Sequence, residues 1–131
     1  MLFHTFDSQK ERSKYGGSGF IEIQYCNMPP QSAIKELVSV ANIKHWKIDS
    51  LYVHIDDDNI FYQAYSRIFD CGTYNNLKTG IVDPYGINYY APTLIESIIE
   101  KLNTAKPEDY EILVAWLAKA KSCNGFYILG V

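Results

Sequence analysis

The stretch "FIEIQYC", residues 20–26, alternates apolar and polar side chains without a break, with Ile21, Ile23 and Tyr25 on one side and Glu22 and Gln24 on the other. Successive strand side chains point to opposite faces, so the pattern predicts a β-strand with one covered and one solvated face. The same signature returns at "SLYVHI", 50–55, with Leu51, Val53 and Ile55 inward and Tyr52 and His54 outward. Short strands are also expected at "INYY", 87–90, and at "FYILGV", 126–131, the latter with an edge open to self-association. Together they predict a small sheet of about four strands.

The segments between the strands carry helical spacing. Pro29-Pro30 stops the first strand and opens a helix, and in "SAIKELVSVAN", 32–42, Ile34, Leu37, Val38 and Ala41 fall on one face. "NIFYQAYSRIFDCG", 59–72, is rich in aromatics that suit a strand. The recurrence of Phe61, Tyr65 and Phe69, with Gly72 at a C-cap position, favours a helix. Thr93 and Glu96 read as a capping box opening a helix with Leu94, Ile95, Ile98, Ile99 and Leu102 inward. Pro107 starts a last helix, buried along Ile112, Leu113, Trp116, Leu117 and Ala120 and stopped by Asn124-Gly125. Residues 73–91 read as a long loop holding only the 87–90 strand.

The expected fold class is therefore α+β, with about four helices and one domain over residues 20–131. The glycines of "KYGGSGF", 14–20, make residues 1–19 a flexible N-terminal segment in this reading. A 131-residue chain that is 47% hydrophobic and 15% aromatic can build a packed core without disulfides. Cys26, Cys71 and Cys123 are odd in number, far apart and without a C-x-x-C pair, which argues against a disulfide framework or a zinc site. The start "MLFHTFDSQKERSK" lacks an apolar core of signal-peptide length, and no segment approaches the roughly 20 apolar residues of a membrane span. A reduced cytoplasm is the expected compartment.

Charge is unevenly placed. From Ile48 to Glu100 eight acidic residues face only Arg67 and Lys78, a net −6, so by difference from the total of −3 the two ends carry +3. An acidic balance argues against nucleic acid and anionic membranes as partners. The centre of the acidic region is "HIDDDN", 54–59. An EF-hand loop begun at Asp56 places Ile60, Phe61 and Arg67 where an oxygen ligand, a glycine and a glutamate are required, so a calcium loop is rejected. A looser magnesium site, a general acid–base pair and a helix cap at Asp57 or Asp58 stay open, the cap being favoured.

No other constellation carries chemistry. His4, His45 and His54 have no ligand spacing, and Cys71 and Cys123 lack basic neighbours that lower a thiol pKa. There is no phosphate loop, dinucleotide fingerprint or nucleophile elbow. No catalytic residue, metal or cofactor is expected. What stands out is eight aromatics between Phe61 and Tyr90 in the acidic region. Tyrosine is costly to bury without a partner for its hydroxyl, so several should reach the surface. Tyrosine beside carboxylate suits an interface for a basic protein. The expected contact residues are Asp56, Asp57, Asp58, Tyr62, Asp70, Tyr74, Asp83, Tyr85 and Tyr89.

The segments "FYQAYSRIFDCGTYNNLKTG" (61–80), "DPYGINYY" (83–90) and "NGFYILGV" (124–131) resemble blocks of the immunity proteins of bacterial contact-dependent growth inhibition and related polymorphic toxin systems. The resemblance covers roughly residues 20–131 and implies binding to one cognate toxin domain, often a nuclease with a basic cleft. These families share no motif, so no residue role follows from it. The alternative is a small-molecule-binding domain or small enzyme, with Tyr89, Tyr90 and His54 lining a pocket.

Overall fold

The computed structural model of the chain describes residues 1–131. Six strands, β1 (Phe20–Tyr25), β2 (Leu51–His54), β3 (Gly72–Tyr74), β4 (Thr79–Gly80), β5 (Ile87–Tyr90) and β6 (Phe126–Leu129), form one sheet in the order β2-β1-β6-β5-β3-β4. Every neighbouring pair is antiparallel. The helices are α1 (Gln9–Gly16), α2 (Ile34–Leu37), α3 (Asp58–Tyr65), α4 (Ile95–Ala105) and α5 (Tyr110–Ala120). The α+β class holds, with a larger sheet than expected. Its extra strands are the β3–β4 hairpin, whose strands are too short to display a period. The segment "FYILGV" is no edge: β6 lies between β1 and β5.

The sheet is covered on both faces. On the first, α3, α4 and α5 lay Phe61, Tyr65, Ile98, Leu102, Leu113 and Leu117 against Ile21, Ile23, Val53 and Ile128. Each large side chain withdrawn from water there contributes about 1.5–3 kcal/mol. Tyr25 stacks on Trp116 with ring centroids 3.9 Å apart and donates its hydroxyl hydrogen to the Trp116 carbonyl at 2.8 Å. Here the sequence periods of β1, β2, α4 and α5 match the packing.

The second face corrects the first expectation. Glu22, Gln24 and Tyr52, read as solvent-facing, are all buried. Residues 27–48 fold across them: Leu37 and Val38 pack on Tyr127 and Leu129, and Trp46 stacks on Tyr52 at 5.4 Å. Alternation reports polarity, and here the polar side chains are satisfied by each other rather than by water. Gln24 donates to Glu22 at 2.9 Å and to the Lys44 carbonyl at 2.6 Å.

Helix ends also differ from expectation. The 32–42 helix shrinks to the single turn of α2 followed by a 3-10 turn over Val40–Asn42, and Ala41 is exposed. β-Branched Val38 and Val40 around Ser39 disfavour continuation. Neither Asp57 nor Thr93 makes the side-chain cap expected of it, because 3-10 turns over Ile55–Asp57 and Pro92–Leu94 lead into α3 and α4. Gly72 is a residue of β3, and α3 ends earlier, at Tyr65.

Residues 1–19, read as a flexible segment, are packed. Leu2 and Phe3 enter the main core, and His4 exchanges two backbone hydrogen bonds of 2.8 Å with Tyr52 at the edge of β2. The Leu2 amide donates to Asp109 Oδ2 at 2.7 Å. Ser8 then caps α1, accepting from the Glu11 amide at 3.0 Å. The glycines end α1 without separating it from the domain.

Candidate partner-binding face

The acidic middle of the chain converges where the β5 approach loop meets α3. Asp83 starts that loop, and its Oδ1 accepts from the Tyr85 amide at 3.0 Å. Fully buried Asn88 holds the loop from below: its Oδ1 accepts from the Asp83 amide at 2.7 Å, and its Nδ2 donates to the carbonyls of Asp83 at 3.0 Å and Ile128 at 2.9 Å. Tyr85 is thereby presented outward, 84% exposed. From α3, Tyr62 donates to the Pro84 carbonyl at 3.3 Å. Burial, with Asp58 and Asp83 nearby, pushes the Tyr62 phenol well above its ordinary pKa, so it remains a donor. Asp58, Tyr62, Asp83 and Tyr85 thus form one cluster.

Beside the cluster, a groove of about 440 Å³ is lined by Tyr74, Asn76, Asp83, Tyr85, Ile87 and His45 among others. Tyr74 is fixed by a hydrogen bond from its hydroxyl to the Ile81 carbonyl. Asn75 donates to the Val38 carbonyl at 2.9 Å, tying the β3–β4 hairpin to the 27–48 cover. Val40, Leu77 and Ile81 are exposed apolar residues on the groove wall or its hairpin. Apolar side chains rimmed by polar ones are the anatomy of an interaction surface.

The remaining expected contact residues divide. Asp56 and Asp57 stand on the 3-10 turn before α3, at the His54 and His4 side; His54 Nδ1 lies 3.4 Å from Asp56 Oδ2 and accepts from the Asp56 amide at 3.1 Å. Burial and the positively charged chain start lower the pKa of His4, and Asp57 partly offsets them. Asp70 is taken up by Lys101, 3.1 Å away, and so leaves the uncompensated set. Tyr89 is corrected from surface to core: it is 3% exposed and donates to the Asn124 carbonyl at 2.7 Å, and burial pushes its phenol up to about 12. Asp56, Asp57, Asp58 and Asp83 form no ion pair with lysine or arginine.

The pocket expected from Tyr89, Tyr90 and His54 does not form from those residues. Tyr89 packs on the second face, Tyr90 lies in the main core, and His54 borders Phe20 and Tyr15. No three His, Cys, Asp or Glu side chains gather closely enough to hold a metal ion. Burial raises the Cys71 and Cys123 thiols, which makes them poorer nucleophiles. No helix is long and apolar enough to cross a membrane.

Asn88 is the positioning residue that sequence reading missed. Its signal was present in "INYY": Asn88 shares strand parity with core Tyr90 and is the one polar residue there. Replacing Asn88 with alanine leaves the Asp83 amide without its acceptor and removes the side-chain donor to the Asp83, Gly86 and Ile128 carbonyls, at a cost of about 1–3 kcal/mol. Urea unfolding measures that cost, and faster hydrogen exchange at the Tyr85 amide, which donates to Asp83 Oδ1, reports release of the loop.

No family model, no curated protein and no solved structure matches the chain.

Proposed function

We propose that the chain is an immunity protein that binds and neutralises one cognate toxin domain, a basic nuclease, in the bacterial cytoplasm. The observation that carries the reading is the juxtaposition of an outward-held Tyr85 with Asp83, Asp58 and Tyr62, none of these carboxylates being matched by an internal cation. A rigid aromatic on a fixed loop supplies anchor area at low entropic cost. Unpaired carboxylates around it attract a cationic cleft, speed encounter and orient the partner. In the bound state Asp58 and Asp83 take the positions of substrate phosphates, with Asp56 and Asp57 extending the negative field over the 3-10 turn before α3.

The test is co-expression with the C-terminal domain of the secreted protein encoded immediately upstream. The two chains are expected to co-purify, and Tyr85→Ala to weaken the complex by roughly thirtyfold or more. A toxin domain that neither co-purifies with the chain nor is silenced by it overturns the reading.

One observation favours the second reading, a small-molecule-binding domain: the groove itself, with Tyr74, Tyr85, His45 and Asp83 at its wall. It has the size of a ligand pocket. A deep, saturable small-molecule site there would leave Tyr85→Ala without effect on any protein complex.

A further inference from the structure

A second cavity, of about 280 Å³, adjoins the groove and shares His45, Leu129 and Gly130 with it. Two buried charged side chains line it, Arg12 from α1 and Glu22 from β1. Arg12 is 8% exposed and forms no ion pair. Its guanidinium carbon lies 5.3–5.8 Å from the ring centres of Tyr52, Trp46 and Phe20. Its one hydrogen bond runs from Nη1 to the His45 carbonyl at 3.1 Å, and the enclosed Nε has no acceptor at all.

Glu22 is 4% exposed. Its Oε2 lies 2.6 Å from Ser50 Oγ, 2.9 Å from Gln24 Nε2 and 3.1 Å from the Tyr52 hydroxyl, while Oε1 receives no protein donor. A buried guanidinium and a buried carboxylate therefore share one cavity and do not pair with each other. Such groups are costly unless something completes them.

The occupant's chemistry follows from the two charges. A simple anion at Arg12 meets the repulsion of Glu22, and a simple cation at Glu22 meets that of Arg12. A ligand carrying both charges close together satisfies both. Phe20 and Leu129 supply apolar wall beside the charged pair. We infer that this cavity binds a free α-amino acid with an apolar side chain, its carboxylate on Arg12, its ammonium on Glu22 Oε1, and its side chain against Phe20 and Leu129. The inference is independent of the toxin-binding reading, because Asp58, Tyr62 and Tyr85 take no part in it.

Isothermal titration calorimetry of the whole chain with L-leucine, L-valine and L-methionine tests it. At least one is expected to bind. Removing the ammonium (4-methylpentanoate in place of L-leucine) or the carboxylate (3-methylbutylamine) is expected to weaken binding roughly tenfold to a hundredfold. Glu22→Gln keeps an oxygen for Ser50 and Gln24 while turning a donor toward the ligand, so it should produce a comparable loss, with circular dichroism unchanged. If that variant does not fold, the truncated analogues on the native chain decide. Absence of binding by all three amino acids at millimolar concentration, or equal binding by either truncated analogue, overturns the assignment.

Discussion

Replacing Phe3 with alanine is expected to destabilise the protein by about 3–5 kcal/mol, a large share of what a domain of this size possesses. Phe3 is 1% exposed, and its ring meets those of Phe61 and Tyr65 edge-on at 6.2 and 5.5 Å. The vacated space lies between α3 and the sheet, where Phe61 and Tyr65 are fixed by their own neighbours and cannot collapse into it. Tyr65 is further held by a hydrogen bond from its hydroxyl to the Glu108 carbonyl. Urea unfolding should register the loss as a lower midpoint at unchanged slope. Were residues 1–19 a flexible appendage, the same substitution would change the midpoint by almost nothing, so the measurement separates the two descriptions.

The Gly125→Ala variant is expected to lose on the order of 3 kcal/mol or more. Gly125 adopts φ 81° at the entry to β6, in the left-handed region that costs an L-residue about 1–2 kcal/mol. A Cβ there also overlaps the carbonyl oxygen of Tyr90. That carbonyl cannot retreat, because Tyr90 pairs with Phe126 in the β5–β6 ladder and stacks on it at 4.7 Å. Gly17 supplies the control. Its φ of 71° and ψ of −134° fall in backbone space that is almost exclusive to glycine, yet no atom lies within 4 Å of a Cβ placed on it. Gly17→Ala should therefore cost only the backbone strain, about 1–3 kcal/mol. Equal losses at the two glycines would contradict the packing described for the β5–β6 junction.

How much of this molecule is legible from its sequence depends on which neighbours a segment has. The strands at 20–25, 51–54, 87–90 and 126–129 and the helices α3, α4 and α5 follow from periods that local burial imposes directly. The Phe61–Tyr65–Phe69 spacing chose helix over strand correctly as far as Tyr65, after which the chain turns and Phe69 reaches the core from outside the helix. What could not be read is the second layer. Glu22, Gln24 and Tyr52 are polar enough to sit in water, and nothing local to them discloses that residues 27–48 return to cover them. The same holds for Phe3 and Phe6, which precede a helix of polar residues and find their partners on α3, β1 and β2.

The candidate face was legible in part for a related reason. Asp58, Tyr62, Tyr74, Asp83 and Tyr85 meet at one end of the sheet because the loop before β5 folds back over α3, a contact made by Tyr62 and Pro84. Charge bookkeeping along the chain located the acidic region but not its counter-ions. Lys101, thirty-one residues from Asp70 in sequence, removes that carboxylate from the set. Tyr89 was lost from the surface by strand parity, since it shares a face with Tyr127 under the 27–48 cover. Arg12 was invisible as a site residue because residues 1–19 read as a flexible segment, and only its approach to Phe20, Trp46 and Tyr52 buries it.

The central claim is that an uncompensated acidic face, anchored by Tyr85, receives a cationic protein. The most direct measurement is the association rate of this chain with the toxin domain proposed as its partner, followed by stopped flow at increasing salt, for the native protein and for an Asp58→Lys, Asp83→Lys double variant. The native rate is expected to be fast at low salt and to fall steeply as salt rises, while the double variant associates about tenfold or more slowly at low salt and hardly responds to salt. A native rate indifferent to salt, and unchanged by reversing both charges, would contradict the account.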